Sequence, residues 1–408
     1  MDSITQAALG AAMGEAVLGR KMGNRALLIG AVAGTIPDLD VLSRLFLDNQ
    51  VYGLLYHRGI THSILFTLLA APFFGWLAYR YYENELYART WMQGIWAAWW
   101  GLFYLVIMAA FVGLSYWTTH WVPILMTGGL AIGAYYVVKT LVANYKNPDL
   151  LEIKASFKSW TLMFFLAFLT HWLIDACTAY GTQIFEPFSR YRVAFNNIFI
   201  IDPLYTGPLL IGIGAAFFIR NRKKRATWNN IGIGLSTLYM AFTFYAKSVA
   251  DGVIQSNLDA QGISYTEFIS YPTIANCVLW QTTVITEDAY YYGLYSLLDT
   301  EPKVEFIKLP KNHELLDQHK NHELVKILLW FAQDYYNITK REDGVLQFNN
   351  LRFGLMGGGM GDIKDPYVFK FRIGQHNGEF DVWQDRELDE DWKIGDILGQ
   401  MWTRLKGI

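Results

Sequence analysis

Three short stretches of the chain carry carboxylates and imidazoles in the pattern of a metal site. Pro37-Asp38-Leu39-Asp40 follows an apolar segment, His57-Arg58-Gly59-Ile60-Thr61-His62-Ser63 opens another, and Thr170-His171-Trp172-Leu173-Ile174-Asp175 closes a third. Mixed imidazole and carboxylate donors suit zinc, manganese or iron better than calcium. Asp38, Asp40, His57, His62, His171 and Asp175 are therefore the candidate ligands, enough for one or two ions, with zinc expected first and manganese or iron as alternatives. Such an ion acidifies water and polarises the bond to be cut, which is the chemistry of a hydrolase.

Spacing constrains how these groups can meet. His171 and Asp175 are four apart and share one helix face. His57 and His62 are five apart and do not, so a turn at Gly59 is needed to aim both rings together. Thr61 is placed to cap the following helix, with His62 in its first turn. Asp40 and Glu15 are candidate bases, although Glu15 equally suits a polar contact between small-residue helices. Arg58, Arg190 and Arg192 are candidate phosphate-binding groups, since guanidinium forks match phosphate oxygens. The last two sit in Glu186-Pro187-Phe188-Ser189-Arg190-Tyr191-Arg192, where headgroup anchoring is the rival role. His120, between Trp117 and Trp121, reads as an interfacial residue.

The elements that must carry these groups are mostly apolar. Up to about residue 248, long apolar runs alternate with short polar loops: Ile64–Tyr82, Trp91–Trp117, Trp121–Val142, Trp160–Ala176, Leu204–Ile219 and Ile231–Ala246. Each approaches the ~20 residues that cross a bilayer as a helix. Ser3–Leu18 and Ala26–Ile36 are shorter and rich in Ala and Gly, suited to close helix packing. The expectation is a polytopic α-helical membrane domain of about eight segments over residues 1–248, followed by a soluble α+β domain over residues 249–408. In the latter, Cys277–Ile285, Tyr290–Leu298, Lys303–Leu309, Tyr367–Ile373 and Glu379–Trp383 read as strands and Val325–Tyr336 as a helix. The Gly- and Met-rich stretch Leu355–Gly361 lacks the ending of a phosphate loop.

Composition agrees with a membrane protein. The 408 residues are 53% hydrophobic and 16% aromatic, and the 15 Trp and 25 Tyr favour headgroup depth. A net charge of -2 disfavours nucleic acid as a partner. Cys177 and Cys277 form no CxxC motif, which removes thiolate zinc sites and redox pairs. The N-terminus carries Asp2 and Glu15 where a secretory signal wants cations and an unbroken apolar run, so it reads as retained. The basic loops Arg20–Arg25 and Arg220–Arg225 are expected on the cytoplasmic side. That orientation puts Asp38–Asp40, His57–His62, His120, Asp175–Arg192 and the C-terminal domain at the outer face.

These motifs resemble the LexA-regulated, inner-membrane-associated, YdjM-like family of metal-dependent hydrolases. The stretches that carry the resemblance are MDSITQAALG, GEAVLGRKMGNRALLIGAVAGTIPDLDVL, HRGITHS, THWLIDACTAYGTQIFEPFS and YRVAFNNIFIIDPLYT. The resemblance implies a bacterial inner-membrane location and a metal centre at Asp38, Asp40, His57, His62, His171 and Asp175. Many members carry His where this chain has Gln6, a poorer zinc ligand. The combined expectation is a membrane-bound hydrolase acting on a phosphoester of a lipid or lipid-linked substrate. An ion- or proton-coupled transporter and a non-catalytic scaffold with a partner-binding soluble domain are the alternatives. The oligomeric state is left open.

Overall fold

The computed structural model describes residues 1–115, 121–355, 367–376, 378–385 and 394–407. His120 and most of the Leu355–Gly361 stretch lie outside these.

Two helices, α1 (Ser3–Met22) and α2 (Asn24–Thr35), form an antiparallel hairpin through the turn at Gly23. Asp2 caps α1 by accepting from the Ile4 and Thr5 amides at 3.1 and 3.0 Å. The contact is built on glycine. A Cβ at Gly10 would stand 2.3 Å from the Gly30 carbonyl oxygen, and one at Gly34 2.5 Å from that of Gln6. Small residues four apart let the two backbones touch, and this draws the C-terminal end of α2 against the first turns of α1.

The chain then runs through a 3-10 segment, Pro37–Phe46, and a short helix, α3 (Gly53–Tyr56), into α4 (Ile64–Glu83). Next come α5 (Thr90–Ser115), α6 (Trp121–Lys146) and α7 (Phe157–Ala176), then α8 (Pro203–Phe218) and α9 (Arg222–Ala260). Among the described residues, the apolar runs expected from the sequence fall in helices, but eight spans do not follow. Among the described residues, three helices are long and apolar enough to cross a membrane: Ile64–Glu83, Thr90–Ala109 within α5, and Phe157–Ala176. The pair Asn24–Thr35 and Pro37–Phe46, bent by 45°, would make a fourth. Three of the expected segments fall short for local reasons. The first helix carries Glu15, Arg20 and Lys21, α8 has only 16 residues, and α9 begins and ends in polar sequence.

Residues 72–162 form one compact unit and residues 1–71 with 163–408 the other. Within the smaller unit, Tyr82 stacks on Trp160 at 5.5 Å, and Trp96 donates to the Tyr81 hydroxyl. Within the larger, Gly212 and Gly232 bring α8 and α9 together as the glycines of α1 and α2 do.

The composition boundary near residue 248 falls inside α9. Ala246, Ala250, Ile254 and Leu258, spaced by one helical turn, form a buried stripe on its C-terminal half. They pack against an antiparallel sheet ordered β1 (Glu267–Pro272), β2 (Leu279–Ile285), β3 (Ala289–Ser296) and β4 (Phe306–Pro310). A second antiparallel sheet is ordered β5 (Tyr336–Lys340), β6 (Leu346–Asn350), β7 (Lys370–His376) and β8 (Glu379–Asp385). It packs on α10 (Glu323–Ala332), and their shared core includes Val51 and Leu54 from the N-terminal half. A terminal helix, α11 (Ile394–Leu405), follows. The expected strands are all found, shifted by a few residues, while β1, β5 and β6 were not anticipated. The expected helix Val325–Tyr336 stops at Ala332, because Gln333 and Asp334 adopt φ of 49° and 65° and turn the chain into β5.

Candidate metal centre

Four side chains from three separate elements converge: Asp38 of the 3-10 segment, His62 of the turn before α4, and His171 and Asp175 on one face of α7. One donor atom from each lies within 4.8 Å of the others. His62 Nε2 and His171 Nε2 are 3.0 Å apart. Asp38 Oδ1 is 3.3 Å from the former and 3.4 Å from the latter, and Asp175 Oδ2 is 3.4 and 3.7 Å from the same two nitrogens. Donors bound tetrahedrally to zinc at ~2.0–2.2 Å lie ~3.3–3.6 Å from one another. Three of the five distances fall in that range, and the other two, 3.0 and 3.7 Å, lie just outside it.

The protonation pattern implied by the neighbours supports a cation. His171 Nδ1 donates to the Gly34 carbonyl at 2.6 Å, so its Nε2 presents a lone pair. His62 turns Nδ1 to Thr61 Oγ1 at 3.1 Å and Asp40 Oδ2 at 3.4 Å, leaving Nε2 to face the cluster. Two such lone pairs repel unless a proton or a metal lies between them. Asp175 Oδ2 is buried and accepts no well-formed hydrogen bond, although Arg58 Nε is 3.1 Å away. His62, His171 and Asp175 are fully buried at their side chains, and Asp38 is 25% exposed, which makes its side the open edge of the site.

The remaining expected ligands surround this core rather than join it. Asp40 Oδ1 meets His57 Nδ1 at 3.0 Å, and Oδ2 accepts from the Arg58 amide at 2.7 Å. Asp40 thus backs the outer nitrogen of His62 and orients His57, the arrangement that fixes a metal-binding imidazole from behind. His57 is partly exposed, with its other ring nitrogen not held by Asp40. Burial outweighs the Asp40 contact and holds the His57 pKa below its ordinary value, so the ring is neutral near pH 7. The turn between the two histidines runs through Arg58, with φ of 57°, and Gly59, with φ of -90° and ψ of -129°. Nor does Thr61 cap α4. Ser63 does, its Oγ accepting from the Phe66 amide at 3.0 Å.

Two of the three arginines expected to bind substrate are instead built into the wall. Arg58 is buried, and its guanidinium holds Asp175 and donates to Thr178 Oγ1 at 2.9 Å. Arg192 is buried too, and donates to the carbonyls of Leu54, His57 and Gly181 at 2.9, 2.5 and 3.1 Å. Removed from water, its pKa falls to about 10. Only Arg190 remains exposed, 3.5 Å from Glu186. Glu15 is not placed to act as a base. Both its oxygens bind Arg225, at 3.0 and 2.6 Å, and nine residues of helix, ~14 Å, separate it from Gln6 at the site.

Sequence reasoning missed several supports. Gln6 donates to Asp175 Oδ1 at 2.9 Å and to the His171 carbonyl at 3.2 Å, so it steadies a ligand instead of being one. The Met1 backbone nitrogen meets the same Asp175 oxygen. Tyr180 packs between His57 and Phe331, with the guanidinium groups of Arg58 and Arg192 over its ring at 5.1 and 4.7 Å. Arg352, from the C-terminal half, donates to the carbonyls of Phe331 and Ala179 at 2.8 and 2.9 Å. The C-terminal sheets therefore stand directly behind the loop that bears His57. The glycine spacing of α1 and α2 was a readable signal for the close approach that brings the Gly34 carbonyl to His171. Tyr180 and Arg352 left none.

The profile of the family described as "YdjM inner membrane protein" matches residues 1–250, which include every residue of the cluster. The chain belongs to this family. Among curated proteins it is similar to the uncharacterized protein YfhP of Bacillus subtilis (strain 168), at 24% identity over 296 residues, 68% of this chain and 80% of that protein. No solved structure matches it. The YdjM family match and the apolar helices make this an inner-membrane protein, with a His and Asp cluster able to hold a metal ion.

Proposed function

We propose that the protein is a metal-dependent hydrolase whose centre is formed by Asp38, His62, His171 and Asp175, with zinc as the resident ion. The observation that carries this reading is the convergence of four donors, three of them fully buried, within 4.8 Å of one another. A divalent ion held there would supply Lewis-acid chemistry, polarising the oxygen of the bond to be cut and acidifying water. The chain's own groups do the rest. Asp40 holds His57 by Nδ1, which leaves Nε2 to take or return a proton at the partly exposed edge. Asp38 is the exposed member of the four donors, so substrate would enter from its side. Arg58 and Gln6 keep Asp175 oriented, and Arg190 is the exposed cation suited to a substrate phosphate.

The proposed substrate is a phosphoester of a lipid or lipid-linked molecule, cleaved at the outer membrane face. Support for a lipid comes from the apolar side chains exposed beside the ligands, including Leu42, Leu45 and Phe46 on the segment bearing Asp38. An amphiphile can reach such a site without leaving the bilayer. Support for the outer face comes from the basic loops at the other end of the helices, which stay cytoplasmic. By the same argument, the C-terminal sheets are extracytoplasmic.

The test is phosphate release from phosphatidic acid and a lipid pyrophosphate by the zinc-, manganese- and iron-loaded protein in detergent. The reading predicts turnover with at least one ion, abolished in Asp38→Asn and His171→Ala and reduced in His57→Gln. A folded, metal-loaded protein inactive on all phosphoesters would rule out this substrate class.

A further inference from the structure

At the other end of α1 from the metal centre, the α1–α2 and α8–α9 turns enclose a cleft of about 570 Å3, lined by Met22, Arg25, Phe217, Phe218 and Arg220 among others. We propose that this cleft is a separate binding site for the phosphate of an anionic phospholipid.

Charge is the first argument. Gly19–Arg25 and Ile219–Arg225 together contain eight Lys and Arg residues and no Asp or Glu. The second argument is construction. Arg225 is buried and fully committed, binding both oxygens of Glu15 and donating to Asn24 Oδ1 at 2.5 Å. Asn24 in turn donates to the Phe217 carbonyl at 3.0 Å. These bonds clasp two turns that are about 200 residues apart in sequence and give the cleft a fixed floor. Arg25 and Arg220 line the walls, and the eight cations of the two turns make the cleft positive. Guanidinium groups present paired donors that match phosphate oxygens.

The third argument is the apolar lip. Phe217 and Phe218 are 52% and 82% exposed at the end of the apolar helix α8. Cations beside exposed aromatic rings at a helix end suit a lipid, whose headgroup meets the arginines while its chains follow the helix. A soluble phosphate would need the arginines only. From Gln6 to Met22 the α1 axis rises ~24 Å, so this cleft lies far from the metal centre, at the opposite end of α1. The lipid held here is therefore not the one presented to the metal centre, and the site stands whether or not the protein is a hydrolase.

The test is lipid retention by the full chain, measured by native mass spectrometry in detergent titrated with phosphatidylglycerol or phosphatidylcholine. The wild type is expected to prefer phosphatidylglycerol. Arg25→Gln/Arg220→Gln should bind it about thirtyfold more weakly, each cation near an anionic headgroup contributing roughly fivefold. Lys303→Ala, on the exposed surface of the C-terminal half, should bind as the wild type does. If the double variant does not purify folded, each single variant should show roughly fivefold weakening. Equal retention of the two lipids, or unchanged binding in folded variants, would overturn the proposal. Binding of inorganic phosphate alone, dependent on Arg25 and Arg220 and without phosphatidylglycerol retention, would make this a soluble-anion site and overturn the lipid assignment.

Discussion

His62 Nε2 and His171 Nε2 face each other at 3.0 Å across 109 residues of sequence, each with its other nitrogen turned outward to a fixed partner. For His171 that partner is a backbone carbonyl at the end of α2, and for His62 it is Thr61 with Asp40 behind. The metal centre thus depends on two kinds of support: helix packing that brings the Gly34 carbonyl into place, and a carboxylate that does not itself join the four donors.

The carboxylate support can be tested by Asp40→Asn. The substitution keeps the shape but weakens the hold on His57 and His62. Metal affinity, measured by competition with a chromophoric chelator, should fall about tenfold to a hundredfold while the melting temperature of the metal-free protein changes little. A fall as complete as that of His62→Ala would mean that Asp40 is a direct ligand.

Helix packing gives a second prediction. Gly10→Val puts side-chain atoms where the Gly30 carbonyl now stands. The α1–α2 hairpin must open, at a cost of about 1–3 kcal/mol, and the Gly34 carbonyl must leave His171. Chemical denaturation should show the lost stability and chelator competition the lost affinity, whereas Gly94→Ala, at an uncrowded position on α5, should affect neither.

Acidity should weaken the centre in a defined direction. Burial alone would lower the His62 pKa, but the adjacent Asp175 and Asp38 carboxylates outweigh it and raise the value above the ordinary 6.5. In the metal-free protein, protonated His62 therefore stabilises the fold at low pH, and this contribution is lost as pH rises through the raised value. Metal binding must displace that proton. The melting-temperature difference between metal-loaded and metal-free protein should widen steadily from about pH 6 to about pH 8. A difference independent of pH would contradict the assignment of His62 as a ligand.

Arg192 offers the cleanest test of the wall behind the site. Arg192→Leu leaves the carbonyls of Leu54, His57 and Gly181 without their charged donor, and each lost bond of this kind costs on the order of 1.5–3 kcal/mol. The expected result is a large loss of stability together with a mobile His57 loop, visible as faster hydrogen exchange over residues 54–58. Were Arg192 a substrate contact instead, the variant would keep its stability and lose only substrate affinity.

Much of the site is legible in the sequence. The four-residue spacing of His171 and Asp175 places both on one face of α7, and the motifs around Asp38 and His62 carry the family likeness. The roles of the arginines were not legible. In sequence, Arg190 and Arg192 look alike, two residues apart in one loop, yet one is exposed and the other is buried under Tyr180 and Phe331. Burial of Arg192 depends on α10, more than a hundred residues later, and no local pattern reports that. Glu15 misled for the same reason, since its partner Arg225 is 210 residues away. Counting spans from apolar runs overshot because the Gly- and Ala-rich helix α1 looks apolar while it is largely buried among other helices, and α9 is apolar only in its central part.

The most direct measurement is metal content by elemental analysis of the purified, detergent-solubilised full chain, set beside His62→Ala/His171→Ala. About one equivalent of zinc, manganese or iron per chain, lost in the folded double variant, is the predicted result for a single four-donor site. A folded wild type that stays metal-free after incubation with each of these ions would contradict the metal centre and the hydrolase reading built on it.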